Sequence, residues 1–229
     1  MTNVAFIPVR GGSKSIPLKN IKPLLGRPLV WWSAKAANEA KCIDKVIIAT
    51  DDKRIIDTVK DFKLSKVEIY KRSAENAQDK SSTESVMLEY IKQSDLANDD
   101  NFFLIQATSP MLKAEDIDAM FCKHQREQTE SAMSGVVSKR FLWTKNGIPL
   151  NYDYKNRPRR QDYDGLILEN GACYINSIAN ILRDKNRLSG KITIYEMAEY
   201  TSYEIDEADD FIIIERLMER YNYKELYKK

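Results

Sequence analysis

Histidine is almost absent from this chain: His124 is the only one in 229 residues. Cysteine is scarce too, with Cys42, Cys122 and Cys173 scattered and no Cys-x-x-Cys pair, so a Cys/His zinc site is excluded. The three thiols read as buried and reduced. His124 lies among polar neighbours and reads as a surface residue, so any chemistry here must work without a histidine base. Charge of one sign is lacking as well: 36 Lys and Arg face 34 Asp and Glu, a formal +2. That removes the basic excess of a dedicated nucleic-acid binder. No apolar run approaches the ~20 residues needed to span a bilayer, and the N-terminus has no signal-peptide pattern. A soluble, cytoplasmic protein with neither nucleic-acid nor membrane partners is expected. Glycine is sparse, only 8 residues, and neither the Gly-x-Gly-x-x-Gly nor the Gly-x-x-x-x-Gly-Lys-Ser/Thr spacing occurs.

Two of those glycines stand together where they matter. The apolar run Ala5-Phe6-Ile7-Pro8-Val9 leads into Arg10-Gly11-Gly12-Ser13-Lys14, with Lys19-Asn20 shortly after. Glycines at a strand end are compatible with a plain turn. They also let backbone N–H groups face inward while Arg10, Lys14 and Lys19 supply positive charge, which suits a phosphate group. Ligands of open α/β sheets bind at this end of the strands.

Strand-like runs at 3–9, 45–50, 66–70, 102–106 and 131–137 alternate with helical periodicity over 28–40, 52–62, 83–95 and 114–126. Pro28 suits a first helical position, and Ser81-Ser82-Thr83-Glu84 carries a capping-box pattern. The alternation predicts an α/β fold: three αβα layers around a mostly parallel, Rossmann-like sheet. Between 139 and 168 the period is lost among Trp143, Gly147, Pro149, Tyr152, Tyr154 and Pro158. A ~30-residue irregular excursion inside a compact domain points to function or to packing on another surface. It reads as an arm inserted in a single domain spanning 1–229. Regular structure resumes at 172–175 and 192–195, with a last helix from about 207.

Three further groups fall at strand or helix ends. Gln106, before Ala107-Thr108-Ser109-Pro110, offers a donor and an acceptor, or simply opens a turn. Ser82 and Thr83, near Arg72, suit a helix cap or ligand contacts. Glu204 and Asp206 are two apart in a strand-like stretch, so both carboxylates are expected on one face. Such a pair favours Mg²⁺ completed by phosphate oxygens, or Asp206 caps the following helix.

Taken in order, these pieces resemble the CMP-sialic acid synthetase (N-acylneuraminate cytidylyltransferase) family, its animal-type members most closely. The resemblance rests on Ile7–Lys14 with Leu18-Lys19-Asn20, Ala49-Thr50-Asp51, Arg72-Ser73-Ala74-Glu75, Gln106–Pro110, Arg157–Asp162 and Glu169–Tyr174. It implies the nucleotidyltransferase type of sheet and transfer of CMP from CTP to the 2-hydroxyl of a nine-carbon 2-keto sugar acid, releasing pyrophosphate. Arg10, Lys14 and Lys19 would then hold the triphosphate, with Asn20 nearby. Arg72, Ser82 and Thr83 would read the cytidine, and Gln106, Arg160, Asn170 and Tyr174 would line the sugar side. Asp206 and Glu204 would bind Mg²⁺, with Asp210 in reserve, and Arg10, Lys14 and Asp206 would carry the catalysis. The arm would cross to a second subunit in a homodimer, which can pair further into a tetramer. Glu204 stands where the family carries aspartate, so Asp206 is the stronger ligand candidate. Legionaminic, pseudaminic or eight-carbon Kdo acids are alternative acceptors, and a nucleotide-sugar glycosyltransferase is an alternative class.

Overall fold

The computed structural model describes residues 1–12, 15–77 and 81–226. Strand β1 (Asn3–Pro8) is followed by a small hairpin, β2 (Pro23–Leu24) and β3 (Arg27–Pro28). Then come α1 (Leu29–Glu39), β4 (Lys45–Thr50), α2 (Lys53–Lys60), β5 (Val67–Lys71), α3 (Thr83–Gln93), β6 (Asn101–Ile105) and α4 (Ala114–Glu127). The chain continues through β7 (Ser131–Ser138), β8 (Leu166–Ser177), α5 (Ile178–Asp184), β9 (Ile192–Glu196), α6 (Ala208–Arg220) and α7 (Tyr223–Leu226). Seven strands form one sheet in the order β5-β4-β1-β6-β8-β7-β9. All run parallel except β8, which is antiparallel to both neighbours.

The central strands are apolar on both faces because helices cover both. Val4 and Phe6 of β1 pack with Val86, Met87 and Tyr90 of α3 and Ile178 and Ile181 of α5. Ala5 and Ile7 face the other way, onto Val30, Ala34 and Ala37 of α1, Ile55 of α2 and Ile117 of α4. A third cluster joins Leu24, Trp31 and Trp32 to Phe211, Ile214 and Met218 of α6 and to Tyr223. It anchors the chain's last helices beside the loop that follows β1, which decides where the acidic segment at 204–206 ends up. Between β1 and β6 the order of strands reverses direction, and the crevice outside their carboxyl ends is the place such sheets use for ligands.

Several local expectations are corrected. The apolar stretch at 172–175 is the end of a longer strand that begins at Leu166, since β7 and β8 are joined by the arm rather than by a crossover helix and therefore pair antiparallel. Helix α5 carries its own cap, with Ser177 Oγ accepting from the Asn180 N–H at 3.2 Å. Helix α3 is capped by Ser82, not Ser81, and Glu84 turns away to pair with Arg187 at 2.7 Å. His124 is buried, not superficial. Its Nδ1 meets Thr129 Oγ1 at 2.9 Å, and burial lowers its pKa, keeping it neutral at the amino edge of β7 and β9. Cys122 is exposed, whereas Cys173 is buried.

Residues 139–165 leave the sheet and fold back through a Trp143–Pro149 bridge. Phe141, Tyr152 and Tyr163 cluster under the Arg157 guanidinium, while Trp143, Ile148, Leu150 and Tyr154 are exposed.

Candidate active site

A cavity of about 320 Å³ opens at the carboxyl ends of β1 and β6, against the first turn of α3. Arg10, Lys19, Asn20, Arg72, Ser82, Thr83 and Gln106 all line it, and Asp and Glu are absent from its lining among the described residues. Three cations without a lining carboxylate make a site for a multiply charged anion. The amino end of α3 adds its dipole in the same sense.

Each lining residue is set by its neighbours. Arg10 follows β1, where the Val9 N–H donates to the Ala49 carbonyl at 2.9 Å. Asn20 Nδ2 donates to the Arg10 carbonyl at 3.1 Å, tying the far end of the loop to its start. The Gly11 N–H donates to Asp51 Oδ1 at 3.2 Å, and a Cβ on Gly11 would strike the Asp52 carboxylate, so a bare Cα is needed there. Lys14 lies outside the described residues. Gln106 sits at the end of β6, where its carbonyl accepts from Ser33 Oγ at 3.3 Å and its side chain borders the cavity.

Arg72 is the buried cation of the cavity, only 6 % exposed. Its backbone N–H donates to the Thr50 carbonyl at 3.1 Å, and its Nη2 donates to the Asn76 carbonyl. Its Nε has no partner among the described residues. Burial pulls its pKa down while Asp51 and Glu89 push it back, and an arginine stays charged through such a shift. A buried guanidinium with an unmet donor is suited to an incoming polar ligand.

The segment 203–206 belongs to no strand or helix. It is brought to the loop after β1 by three contacts. The Ile205 N–H donates to the Thr108 carbonyl at 2.8 Å, Lys19 Nζ donates to the Ile205 carbonyl at 2.7 Å, and Ser15 Oγ donates to the Asp206 carbonyl at 2.6 Å. Lys19 also meets the exposed Asp206 carboxylate at 3.3 Å. Lys19 of the basic loop therefore lies beside the Asp206 carboxylate. Glu204 is held against the bare Cα of Gly171. Burial, then the charges of Asp206 and Glu169, push its pKa up to about 7, against the pull of Lys19. Asp210 is committed elsewhere: its Oδ2 accepts from the Asp206 and Glu207 N–H groups at 2.8 and 2.7 Å and caps α6.

Besides Glu204 and Asp206, which flank it, three further expected site residues lie outside the cavity. Asn170 is fully buried; its Oδ1 accepts from Ser134 Oγ at 2.7 Å and its Nδ2 reaches Thr201 Oγ1 at 3.3 Å. It cross-links β8 to β7 and to the turn before the acidic segment, so no polar atom is left for a ligand. Tyr174 is buried too, with its hydroxyl donating to Glu169 and the Arg187 guanidinium 5.0 Å from its ring centre. Arg160 stands on the arm, exposed, paired with Glu199 at 3.0 Å. Glu199 borders a separate groove of about 700 Å³ lined by Val136, Ser138, Arg140, Leu168, Tyr200 and Tyr221 among others. Gly171, the seat of Glu204, carries no composition signal that would single it out. Its positive φ is a property of the folded strand alone.

Residues 4–228 match the sequence model of a family described as cytidylyltransferase. The N-acylneuraminate cytidylyltransferase of Oncorhynchus mykiss is 37% identical over 226 residues, covering 96% of this chain and 51% of that protein. N-acylneuraminate cytidylyltransferase A of Danio rerio is 34% identical with the same coverage, and the enzyme of that name in Streptococcus agalactiae serotype III is 26% identical over 93% of this chain and 52% of its own length. The chain thus spans about half the length of the curated relatives it matches. Among solved structures, a CMP:2-keto-3-deoxy-manno-octonic acid synthetase complexed with CTP superposes with a TM-score of 0.71 at 18% identity, covering 96% of this chain and all of that one. A 4-diphosphocytidyl-2C-methyl-D-erythritol synthase from Anaerococcus prevotii superposes with a TM-score of 0.68 at 14% identity, over 95% and 96%. These two share the fold.

Proposed function

The chain belongs to the cytidylyltransferase family, and from that premise we propose that it transfers CMP from CTP to the 2-hydroxyl of an N-acylneuraminic (sialic) acid, giving CMP-sialic acid and pyrophosphate. The observation that carries this reading is the cation-lined cavity at the carboxyl ends of β1 and β6, with no carboxylate in its lining among the described residues. The sialic acid assignment draws on the names of the relatives at 34 and 37% identity.

In this reading Arg10 and Lys19, with Lys14, neutralise the triphosphate and the charge that grows on the leaving pyrophosphate. Arg72 and the Ser82-Thr83 turn grip the cytidine, and Gln106 faces the acceptor. The sugar hydroxyl attacks the α-phosphorus in line. The bond to the β-phosphate oxygen breaks with its electron pair, and the hydroxyl proton passes to Asp206 or to water. Positioning and charge neutralisation supply most of the rate, as phosphoryl-type transfer asks little covalent help from protein.

The donor set fits a hard dication. Glu204 and Asp206 offer oxygen only, and burial, with the like charges of Asp206 and Glu169 added, raises the Glu204 pKa; a bound cation would favour its charged form. These two residues would hold Mg²⁺, which when bound would neutralise phosphate charge and lower the pKa of the sugar hydroxyl. Residues 1–229 form one catalytic domain in this reading, with the arm at 139–168 crossing to a second copy in a homodimer or a tetramer built from it. Exposed Trp143, Ile148, Leu150 and Tyr154 support that arrangement, and Arg160 would then anchor a sugar carboxylate from the arm. Among the described residues no helix is long and apolar enough to cross a membrane, and three unpaired thiols suit a reducing cytoplasm.

The test is pyrophosphate release from CTP against a panel of sialic, legionaminic, pseudaminic and Kdo acids, with and without Mg²⁺. Mg²⁺-dependent release with a sialic acid is expected. Absence of release with every acid would end the reading, and preference for another acid would move the substrate.

A further inference from the structure

The connection between β5 and α3 carries Arg72, and one carboxylate outside the cavity holds that connection together. Glu89, in the second turn of α3, accepts from Tyr70 Oη at 2.7 Å, from the Ser73 N–H at 2.9 Å, from Ser73 Oγ at 2.5 Å and from Asn76 Nδ2. A carboxylate has about four lone-pair sites, and here four donors from residues 70–76 converge on one. Asn76, so held, presents its carbonyl to Arg72 Nη2, and its own N–H meets Ser73 Oγ at 3.3 Å. The other end of Arg72 is fixed to the sheet through its N–H on the Thr50 carbonyl. The base of the connection is anchored by Tyr70 packing edge-on against Tyr90, which packs on Phe6 of β1. The guanidinium is therefore gripped through a chain that runs from Glu89 to Asn76 to Arg72.

We propose that Glu89 is a positioning residue for nucleotide binding: it touches no ligand, and it fixes the turn whose carbonyl aims Arg72 at the cavity. The proposal rests on the reading of that cavity as the CTP site. Burial would push the Glu89 pKa up, but the donors from Ser73, Asn76 and Tyr70 outweigh it and hold it at about 2, so the clamp is a full anion at neutral pH. Glutamine could keep one acceptor but would turn an N–H₂ toward groups that also donate.

The test uses Glu89→Ala and Glu89→Gln in the full chain, with CTP affinity by calorimetry, steady-state kinetics and amide hydrogen exchange over residues 70–76. Misplacing one binding group is expected to raise the CTP Kd and KM about tenfold in Glu89→Ala, and less in Glu89→Gln. The KM for the sugar acid should stay at the parent value, and exchange over 70–76 should quicken. Ser73→Ala removes one donor and should give a smaller shift in the same direction. Parent-like CTP affinity in Glu89→Ala, or equal rises in both KM values with a general loss of folding, would overturn the proposal. Failure of the parent itself to bind CTP would end the nucleotide reading instead, and unchanged exchange over 70–76 would still reject the clamp.

Discussion

Replacing Gly171 by alanine tests how Glu204 is held. Gly171 has φ +65, and a Cβ there would overlap Glu204 Oε1. The substitution has two separable effects. A non-glycine residue in the left-handed region costs about 1–2 kcal/mol, which for a domain of this size lowers the melting temperature by about 2–8 °C. The collision itself is with the end of a flexible side chain, so the Glu204 carboxylate swings away rather than straining the backbone. Gly26→Ala provides the control: its φ is +79 and nothing lies within 4 Å of the added methyl, so it incurs the backbone cost alone. Both variants should melt earlier by similar amounts. Only Gly171→Ala should need more Mg²⁺ for half-maximal pyrophosphate release, by about tenfold, the low end of the loss typical when a group orienting a metal ligand is removed. Equal Mg²⁺ dependence in the two variants would refute the link between Gly171, Glu204 and the metal.

Arg72→Met keeps the bulk but removes the buried charge and its donors; the CTP Kd should rise about 10- to 100-fold, as for loss of charged hydrogen bonds, and an unchanged calorimetric Kd would exclude Arg72 from the nucleotide site. Arg187→Met breaks the partly buried pair with Glu84 and the stacking over Tyr174, and should cost about 1–3 kcal/mol in denaturant unfolding; parent-like stability would show the pair to be idle. The pH dependence of Glu89 has a definite sign. Its folded pKa, about 2, lies below the ordinary glutamate value, so its contribution is complete above the unfolded pKa and is lost as pH falls toward 2. The stability deficit of Glu89→Gln against the parent should therefore be largest near neutrality and shrink between about pH 4.5 and 2. A deficit that stays constant across that range would contradict the assignment.

The alternation of apolar runs is enough to read the parallel half of the sheet, because strands buried on both faces leave continuous hydrophobic signatures such as Val4–Ile7 and Phe102–Ile105. The antiparallel start of β8 is not legible, since Leu166 to Glu169 are exposed and carry no burial pattern. His124 misleads for a related reason: polar neighbours in sequence do not reveal that Thr129 and Thr193 close over one face of the helix end. Asn170 carries a motif resemblance, yet its amide is spent on Ser134 and Thr201, contacts separated by 36 and 31 residues. Glu89 has the sequence surroundings of any solvated helix glutamate. Only the folded turn at 70–76 gathers its donors.

Local chemistry determined the αβα class and the basic loop after β1, because each depends on neighbours within a few positions, whereas only the family resemblance grouped Arg72, Ser82, Thr83 and Gln106 with that loop. Tertiary structure decided what distance in sequence conceals. The packing of α6 and Tyr223 on Trp31, Trp32 and Met111 carries the acidic segment back to the amino-terminal loop, where Lys19 and Ser15 meet Asp206 across about 190 residues. Local spacing does not reveal that meeting, since it is produced by the burial of Ile16 and Ile205 in one cluster with Leu24, Trp32 and Phe211, contacts made only in the folded chain.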